Sequence, residues 1–269
     1  MDGETMNPFD AEARTLYDRD IDAGRRDSLA VLLDLVPAGA DVLDVGIGGG
    51  ALGRQLGAAR GCRVDGATIS PAEAARAAPH YRHIEIADLN VTALDTLFAG
   101  RRYDAIICAD VLEHLPRPTA VLESCRRLLA EDGRLLLSIP NVAYSGLVAE
   151  LLAGEFRYRT EGLLDRTHVR FFTRRSVLRL LREQGWQVDL LRPVHLDLRD
   201  SEFRPALDLL PAAVRRYLLA RPDGQTYQFI IEARPASAAA FAAAWSVDEP
   251  EPSQPASYST QLYLKDAAG

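Results

Sequence analysis

Short apolar runs and longer amphipathic stretches take turns along most of the chain. The runs span residues 41–45, 63–68, 83–87, 103–108, 133–139, 186–192 and 227–233, and each reads as a strand. Helical patterns lie between most of them, and that alternation marks a parallel sheet joined by crossover helices. Gly61, Gly100, Gly133 and Gly185 punctuate the joins, near the end of a helical pattern or before a strand, where glycine can take a left-handed turn. The pattern is complete at residue 233, which sets a first domain of residues 1–233. Beyond it, residues 235–256 mix Ala, Pro, Ser and Glu without periodicity, so 234–269 reads as linker and tail. No internal repeat is present.

The 269 residues are enough to bury a substantial core. A formal net charge of -7 argues against a broad basic surface for nucleic acid or an anionic membrane. Cys62, Cys108 and Cys125 stand far apart with no paired spacing, so neither a disulfide framework nor a cysteine-zinc site is indicated, and a reducing cytoplasm is expected. No apolar run approaches the length of a membrane span. The stretch MDGETMNPFDAEARTLYDRD is acidic where a secretory leader would be basic and then apolar.

The densest signal is Val42-Leu-Asp-Val-Gly-Ile-Gly-Gly-Gly-Ala-Leu-Gly53, in which five of the eight positions from Gly46 onward are glycine. A glycine-rich turn between a buried strand and a helix lets a ligand approach the backbone, and the helix amino terminus adds free N–H groups. Five glycines exceed what a ligand-free joint is expected to require. Gly46-Ile-Gly-Gly-Gly-Ala51 also fits the dinucleotide pattern G-x-G-x-x-G/A, a weak signal alone. Asp44 argues against a dinucleotide. A carboxylate at the end of the first strand would repel a pyrophosphate and favour a ligand with a cationic amino-acid end.

On these residues the chain from Tyr17 to Ala233 resembles the class I S-adenosylmethionine-dependent methyltransferases. The resemblance implies an α/β, Rossmann-like, doubly wound fold with a mostly parallel seven-stranded sheet whose last strand is antiparallel. It implies S-adenosyl-L-methionine as cofactor, with Gly46, Gly48 and Gly50 under its methionine part beside Asp44. Asp88, in Glu85-Ile-Ala-Asp-Leu-Asn90, matches the family's acidic residue near the adenine amine, and Tyr17, Leu89 and Ala109 complete the implied pocket. Val64-Asp-Gly-Ala-Thr-Ile-Ser-Pro71 departs from the commonest pattern, because Thr68 stands where many members carry the acid that grips the ribose. A subset that includes cyclopropane-fatty-acid-type enzymes has Gly-x-Thr-x-Ser-x-x-Gln, and Glu73 falls at its glutamine. The ribose is accordingly assigned to Thr68 and Glu73.

Gly162-Leu-Leu-Asp-Arg-Thr-His-Val-Arg-Phe-Phe-Thr173, with the helical pattern after it, resembles methyltransferases of bacterial surface-glycan and secondary-metabolite pathways. It is similar, more distantly, to the ubiquinone-pathway O-methyltransferases. That likeness implies a covering segment over residues 142–175, a small-molecule or glycan acceptor methylated on a hydroxyl, and a glycosyltransferase or other pathway enzyme as partner. Ser259-Thr-Gln-Leu-Tyr-Leu264 reads either as a tail or as the start of a further module.

Methyl transfer from a sulfonium to oxygen is an in-line displacement, and a protonated hydroxyl needs a base. Of five histidines, His114 follows the fourth strand at the acceptor mouth and His168 lies in the covering segment, so both are candidate catalytic bases. Asp110, Glu113, His114 and His168 also form a candidate divalent-metal set, resembling the Glu-x-x-Glu-His plus distal His arrangement of small-RNA 2′-O-methyltransferases. Eight arginines fall between Arg157 and Arg182, and Arg166 and Arg170 are expected to contact an anionic acceptor. Two other functions stay open on the sequence. One is a partner or regulatory subunit that keeps the cofactor fold without methyl transfer; the other, disfavoured by Asp44, is a nicotinamide-dependent oxidoreductase.

Overall fold

The computed structural model describes residues 28–237, so Tyr17 and the stretch 259–264 lie outside the described residues. Contacts divide the chain into two units, Met1–Pro235 and Ala236–Gly269. Helix α1 (Ser28–Leu35) leads into β1 (Asp41–Val45), α2 (Ala51–Arg60), β2 (Arg63–Thr68), α3 (Pro71–Ala77), β3 (His83–Ile86), α4 (Leu94–Leu97) and β4 (Tyr103–Ala109). There follow α5 (Pro118–Leu128), β5 (Leu129–Pro140), α6 (Ser145–Leu152), α7 (Arg174–Glu183), β6 (Trp186–His195), α8 (Arg204–Asp208), α9 (Ala212–Ala220) and β7 (Thr226–Pro235).

The strands form one sheet in the order β3-β2-β1-β4-β5-β7-β6. Strand β7 runs antiparallel to both β5 and β6, and the other neighbouring pairs are parallel. The expected doubly wound sheet with an antiparallel last strand is therefore the fold. Its central strands are buried on both faces, which is why they read as unbroken apolar runs instead of alternations. Leu43, Ile106, Leu135 and Leu137 pack on one side with Val121 and Leu122 of α5 and Val177 and Leu181 of α7. Val42, Ile107 and Leu136 pack on the other with Leu32 of α1 and Leu52 and Leu56 of α2. Among the described residues no helix is long and apolar enough to cross a membrane.

Two sequence expectations need correcting here. Gly61, Gly100 and Gly185 are left-handed as expected, whereas Gly133 lies inside β5 and is not. A Cβ at Gly133 would sit 2.8 Å from the Tyr103 carbonyl oxygen, so close approach of β4 and β5 is what requires glycine there. The chain between β6 and β7 also carries two helices, α8 and α9, that the strand pattern did not reveal. Phe203 and Leu198 from this insertion bury against Tyr144, Leu147, Leu163 and Leu164, giving the covering segment a small core of its own. Glu202 adds to it by accepting hydrogen bonds from Tyr227 Oη (2.8 Å) and the Leu163 N–H (3.3 Å).

One buried charge ties the strands together at the edge where β2 begins. Asp65 is fully buried and accepts hydrogen bonds from Arg82 (2.9 and 2.8 Å), Tyr103 Oη (2.8 Å) and Arg101. Burial pushes its pKa up, but the bonds from Arg82, Tyr103 and Arg101 outweigh burial and hold it below the ordinary value. Asp65→Ala is expected to lower the unfolding free energy by about 3 kcal/mol at neutral pH, the low end for a broken buried pair because Arg82 and Arg101 reach solvent. A carboxylate whose pKa is depressed on folding stabilises above its unfolded pKa, so the gap between variant and parent should narrow as pH falls through the ordinary aspartate range. Urea unfolding from pH 7 down to pH 3, on roughly that scale, measures both the size and the sign.

Candidate active site

Strands β1, β2 and β4 are parallel, so the loops that leave their carboxyl ends meet at one edge, and the strand order reverses between β1 and β4. There Gly46 (φ 80°), Gly48 (φ 50°) and Gly50 (φ 84°) are all left-handed, with Gly50 at the N-cap of α2. A Cβ would lie 2.7 Å from Val111 Cγ2 at Gly46 and 2.9 Å from Ala77 Cα at Gly50. The turn and its packing therefore need these two glycines whether or not a ligand approaches. The density of glycines alone says less about a ligand than the sequence suggests.

The side chains around that loop say more. Asp44, 1% exposed at the end of β1, accepts a hydrogen bond from Tyr81 Oη at 2.6 Å. Burial pushes its pKa up to about 6, against the lowering effect of the Tyr81 bond. At the end of β2, Thr68 Oγ1 donates to Glu73 Oε2 at 2.6 Å. Ser70 makes that meeting possible: its side chain caps α3 by accepting the Glu73 N–H, with Pro71 starting the helix. Asp88 Oδ1 accepts the Asn90 N–H at 2.8 Å and shapes the turn after β3, while Leu89 packs against the core edge. Ala109 closes β4 opposite Ser138 of β5.

A second group gathers in the turn after β4. One ligating atom each from Glu113, His114 and His168 lie within 4.8 Å of one another, and the two imidazoles meet edge to face with centroids 4.7 Å apart. The covering segment is pinned there by the Glu113 carbonyl, which accepts the N–H groups of both Val169 and Arg170 at 2.9 Å. Glu113 is 1% exposed, and both of its carboxylate oxygens lack a hydrogen-bond partner. Burial, aided by the charges of Asp110 and Asp165, pushes this carboxyl well above the usual carboxylate range. Burial likewise pulls both histidines below their ordinary value, with His168 adding to the effect on His114.

The hydrogen bonds fix which imidazole nitrogen carries the proton. His168 Nδ1 lies 3.2 Å from the Leu163 carbonyl oxygen, which can only accept, so Nδ1 donates and Nε2 keeps its lone pair. Thr167 Oγ1 donates to Asp165 Oδ1 (2.6 Å) and so receives the Nδ1–H of His114 (3.0 Å), again leaving Nε2 free. Asp165 and Thr167 are thus the supports that sequence reasoning missed. Their signal was present in Asp165-Arg-Thr-His168, directly ahead of the histidine.

Other expected site residues are placed differently. Asp110 has a left-handed backbone (φ 54°), and its Oδ1 accepts from Ser138 Oγ and Gln228 Nε2, both at 2.7 Å; it does not join the Glu113, His114 and His168 group. Arg170 donates from Nε (3.0 Å) and Nη2 to the Pro116 carbonyl, which makes it a clasp for the covering segment. Arg159 pairs with Glu150 and lies 4.6 Å over the Phe203 ring, and Arg157 pairs with Glu155 at 3.8 Å. Arg166 is exposed on the segment.

Comparison with known proteins identifies the fold and the family. The chain is 35% identical over 135 residues to a ubiquinone biosynthesis O-methyltransferase of Xanthomonas oryzae pv. oryzae, a match over 49% of this chain and 55% of that protein. The chain thus spans about half the length of the curated relatives it matches. Among solved structures, the YcgJ protein of Bacillus subtilis shares the fold with a TM-score of 0.54 at 15% identity, over 78% of this chain and 98% of that one. The magnesium protoporphyrin IX methyltransferase of Synechocystis, solved with S-adenosylhomocysteine bound, gives 0.50 at 20% identity, over 76% and 78%. A family model described as "Methyltransferase domain" matches residues 17–191, and the chain belongs to that methyltransferase domain family.

Proposed function

We propose that the chain transfers a methyl group from S-adenosyl-L-methionine to a hydroxyl of a small polar acceptor, which Glu113, His114 and His168 bind and deprotonate. The observation that carries this reading is the buried Glu113 carboxyl group, unpartnered beside two imidazoles whose Nε2 atoms make no hydrogen bond of their own among the described residues. When bound, the cofactor supplies an electrophilic methyl on a sulfonium, and its rate depends on a nucleophile held in line. The residues at the sheet edge fit it: the left-handed glycine turn at the start of α2, Asp44 for its ammonium, Thr68 with Glu73 for the ribose, and Asp88 for the adenine amine. The names of the ubiquinone O-methyltransferases support a hydroxyl acceptor, and the Synechocystis enzyme with S-adenosylhomocysteine supports the cofactor.

At the acceptor, His114 and His168 present unprotonated Nε2 atoms that can take the hydroxyl proton, each oriented by its Nδ1–H bond. The same two nitrogens and the Glu113 carboxylate fit a divalent cation such as zinc, which would lower the pKa of a bound hydroxyl. For the finer class we take a sugar or acidic metabolite, with Arg166 as its anion contact.

Two outcomes test this reading. Glu73→Ala should weaken S-adenosylhomocysteine binding about tenfold, the scale of one charge-assisted hydrogen bond, with little change in thermal unfolding because Glu73 is partly exposed. Unchanged affinity by calorimetry would remove Glu73 from the ribose. His168→Ala and Glu113→Gln should each lower turnover by about 100-fold or more on whichever of a panel of phenolic and sugar alcohols is methylated, with cofactor affinity preserved. Activity lost on chelation and restored by zinc, manganese or magnesium assigns the trio to a cation, and full retention leaves the histidines as bases. Tight cofactor binding without S-adenosylhomocysteine release on any acceptor would favour a non-catalytic partner.

A further inference from the structure

Tyr81 lies outside every motif singled out in the sequence, yet it enters the cofactor edge from the start of β3. Its ring is 9% exposed and fills a slot kept open by glycines on two other segments, α2 and β2. A Cβ at Gly53 would come within 2.3 Å of the ring, one at Gly66 within 2.9 Å, and one at Gly50 within 3.5 Å. Two positions where a side chain would collide with the ring, Gly53 and Gly66, make its placement specific.

The hydroxyl has two bonds, and they bracket the glycine loop. Tyr81 Oη donates to Asp44 Oδ2 at 2.6 Å, just before the loop, and accepts the Gly53 N–H at 3.2 Å, just after it. Gly53 is the third residue of α2, where a helix N–H has no partner within its own helix. The N-cap, Gly50, has no side chain to satisfy it, and none of the cap hydrogen bonds of α2 comes from a side chain there. Tyr81 performs that capping from a distance of 28 residues in sequence. One hydroxyl thereby joins the carboxylate at the end of β1 to the first turn of α2.

We infer that Tyr81 is a positioning residue for cofactor binding, holding Asp44 ionised and oriented toward the cofactor ammonium and fixing the span of the Gly46–Gly50 loop. The inference rests on the cofactor placement proposed above. Among the described residues Asp44 has little else to stabilise its charge. Its register neighbours are Gly66 on β2 and Ile107 on β4, and the titratable groups acting on it are Tyr81 and the buried Cys108 thiol, both neutral near pH 7. Burial raises Asp44 to about 6 while the Tyr81 bond lowers it, so removing the hydroxyl raises it further. Sign follows directly: a cofactor that needs the ionised carboxylate binds less well as pH falls, and loss of Tyr81 Oη moves that fall to higher pH.

The test is calorimetric binding of S-adenosylhomocysteine between roughly pH 5.5 and 8.5, a range that spans the raised Asp44 value of about 6 and reaches well above it. The proteins compared are the parent chain, Tyr81→Phe, Asp44→Asn and the double variant. The parent should lose affinity below pH 6, approaching roughly tenfold per pH unit as one proton is taken up. Tyr81→Phe keeps the ring in its slot, should bind about tenfold more weakly near pH 7, and should recover toward the parent at the alkaline end. Asp44→Asn should bind weakly with a flat pH profile, and adding Tyr81→Phe to it should change affinity by less than about threefold, because a residue that acts through Asp44 has nothing left to act on. Should Tyr81→Phe alone fail to fold, the comparison of Asp44→Asn with the double variant, which buries no charge, decides the matter by itself. A Tyr81→Phe defect that is constant with pH, or that multiplies with Asp44→Asn, overturns the inference and leaves the cofactor reading intact. Absence of binding by the parent at every pH overturns both.

Discussion

Parallel alignment of β1, β2 and β4 is the constraint on which the site depends. Because these strands are covered on both faces, no ligand can reach their sides, and only the loops at their carboxyl ends are available for chemistry. The order reversal between β1 and β4 separates the loop after β1 from the loop after β4, and the crevice between them receives side chains from both. Asp44 is the last residue but one of β1, Thr68 closes β2, and Asp110 through His114 leave β4, so one topological fact gathers residues 70 positions apart in sequence, from Asp44 to His114. The left-handed turn at Gly46–Gly50 is the local consequence. A strand that must reverse directly into a helix packed on the same sheet needs φ values that side chains disfavour.

The covering segment depends on a different balance. It has little regular structure after α6, and it is held by specific contacts with two neighbours. On the β4 side the Glu113 carbonyl and the Pro116 carbonyl accept three groups from Val169 and Arg170. On the far side Phe203, Leu198 and Glu202 of the β6–β7 insertion bury and hydrogen-bond Leu163 and Leu164. The arginines that make this stretch basic are for the most part fasteners: Arg159 to Glu150, Arg157 to Glu155, Arg170 to Pro116. Positive charge in sequence thus overstated the positive charge available to a substrate.

Strand identities were legible because burial on both faces forces unbroken apolar runs, and the glycine loop because backbone reversal leaves few residue choices. His114 and His168 were legible as a pair because a polar residue after a central strand and one in the covering segment can only converge on the same edge. The rest depends on long-range geometry with no local imprint. Tyr81 looks like one more apolar residue before a strand, and its partners lie 37 and 28 residues away. Asp110 and Glu113 look equivalent as carboxylates three apart, yet a left-handed backbone turns Asp110 to Ser138 and Gln228 while Glu113 faces the histidines alone. The β6–β7 insertion was missed because α8 and α9 are short and pack on the covering segment, with weak periodicity of their own.

The role proposed for the Glu113, His114 and His168 group rests on the unpartnered Glu113. A carboxyl group retained only for packing would be expected to hydrogen-bond, because a buried polar group without a partner costs roughly 1–3 kcal/mol and an ionised one more. The surroundings could easily have supplied donors. Instead both nearby imidazoles give their only N–H groups away from it, His114 to Thr167 and His168 to the Leu163 carbonyl. The three side chains bring one ligating atom each within 4.8 Å of one another, a set that attracts a proton donor or a cation. Asp165 maintains that polarity by accepting the Thr167 hydroxyl, which commits Thr167 to receiving from His114. Burial holds the Glu113 carboxyl well above the usual carboxylate range, so in its protonated form it is itself a donor beside the imidazoles, and a bound hydroxyl or a divalent cation would take the place of that proton.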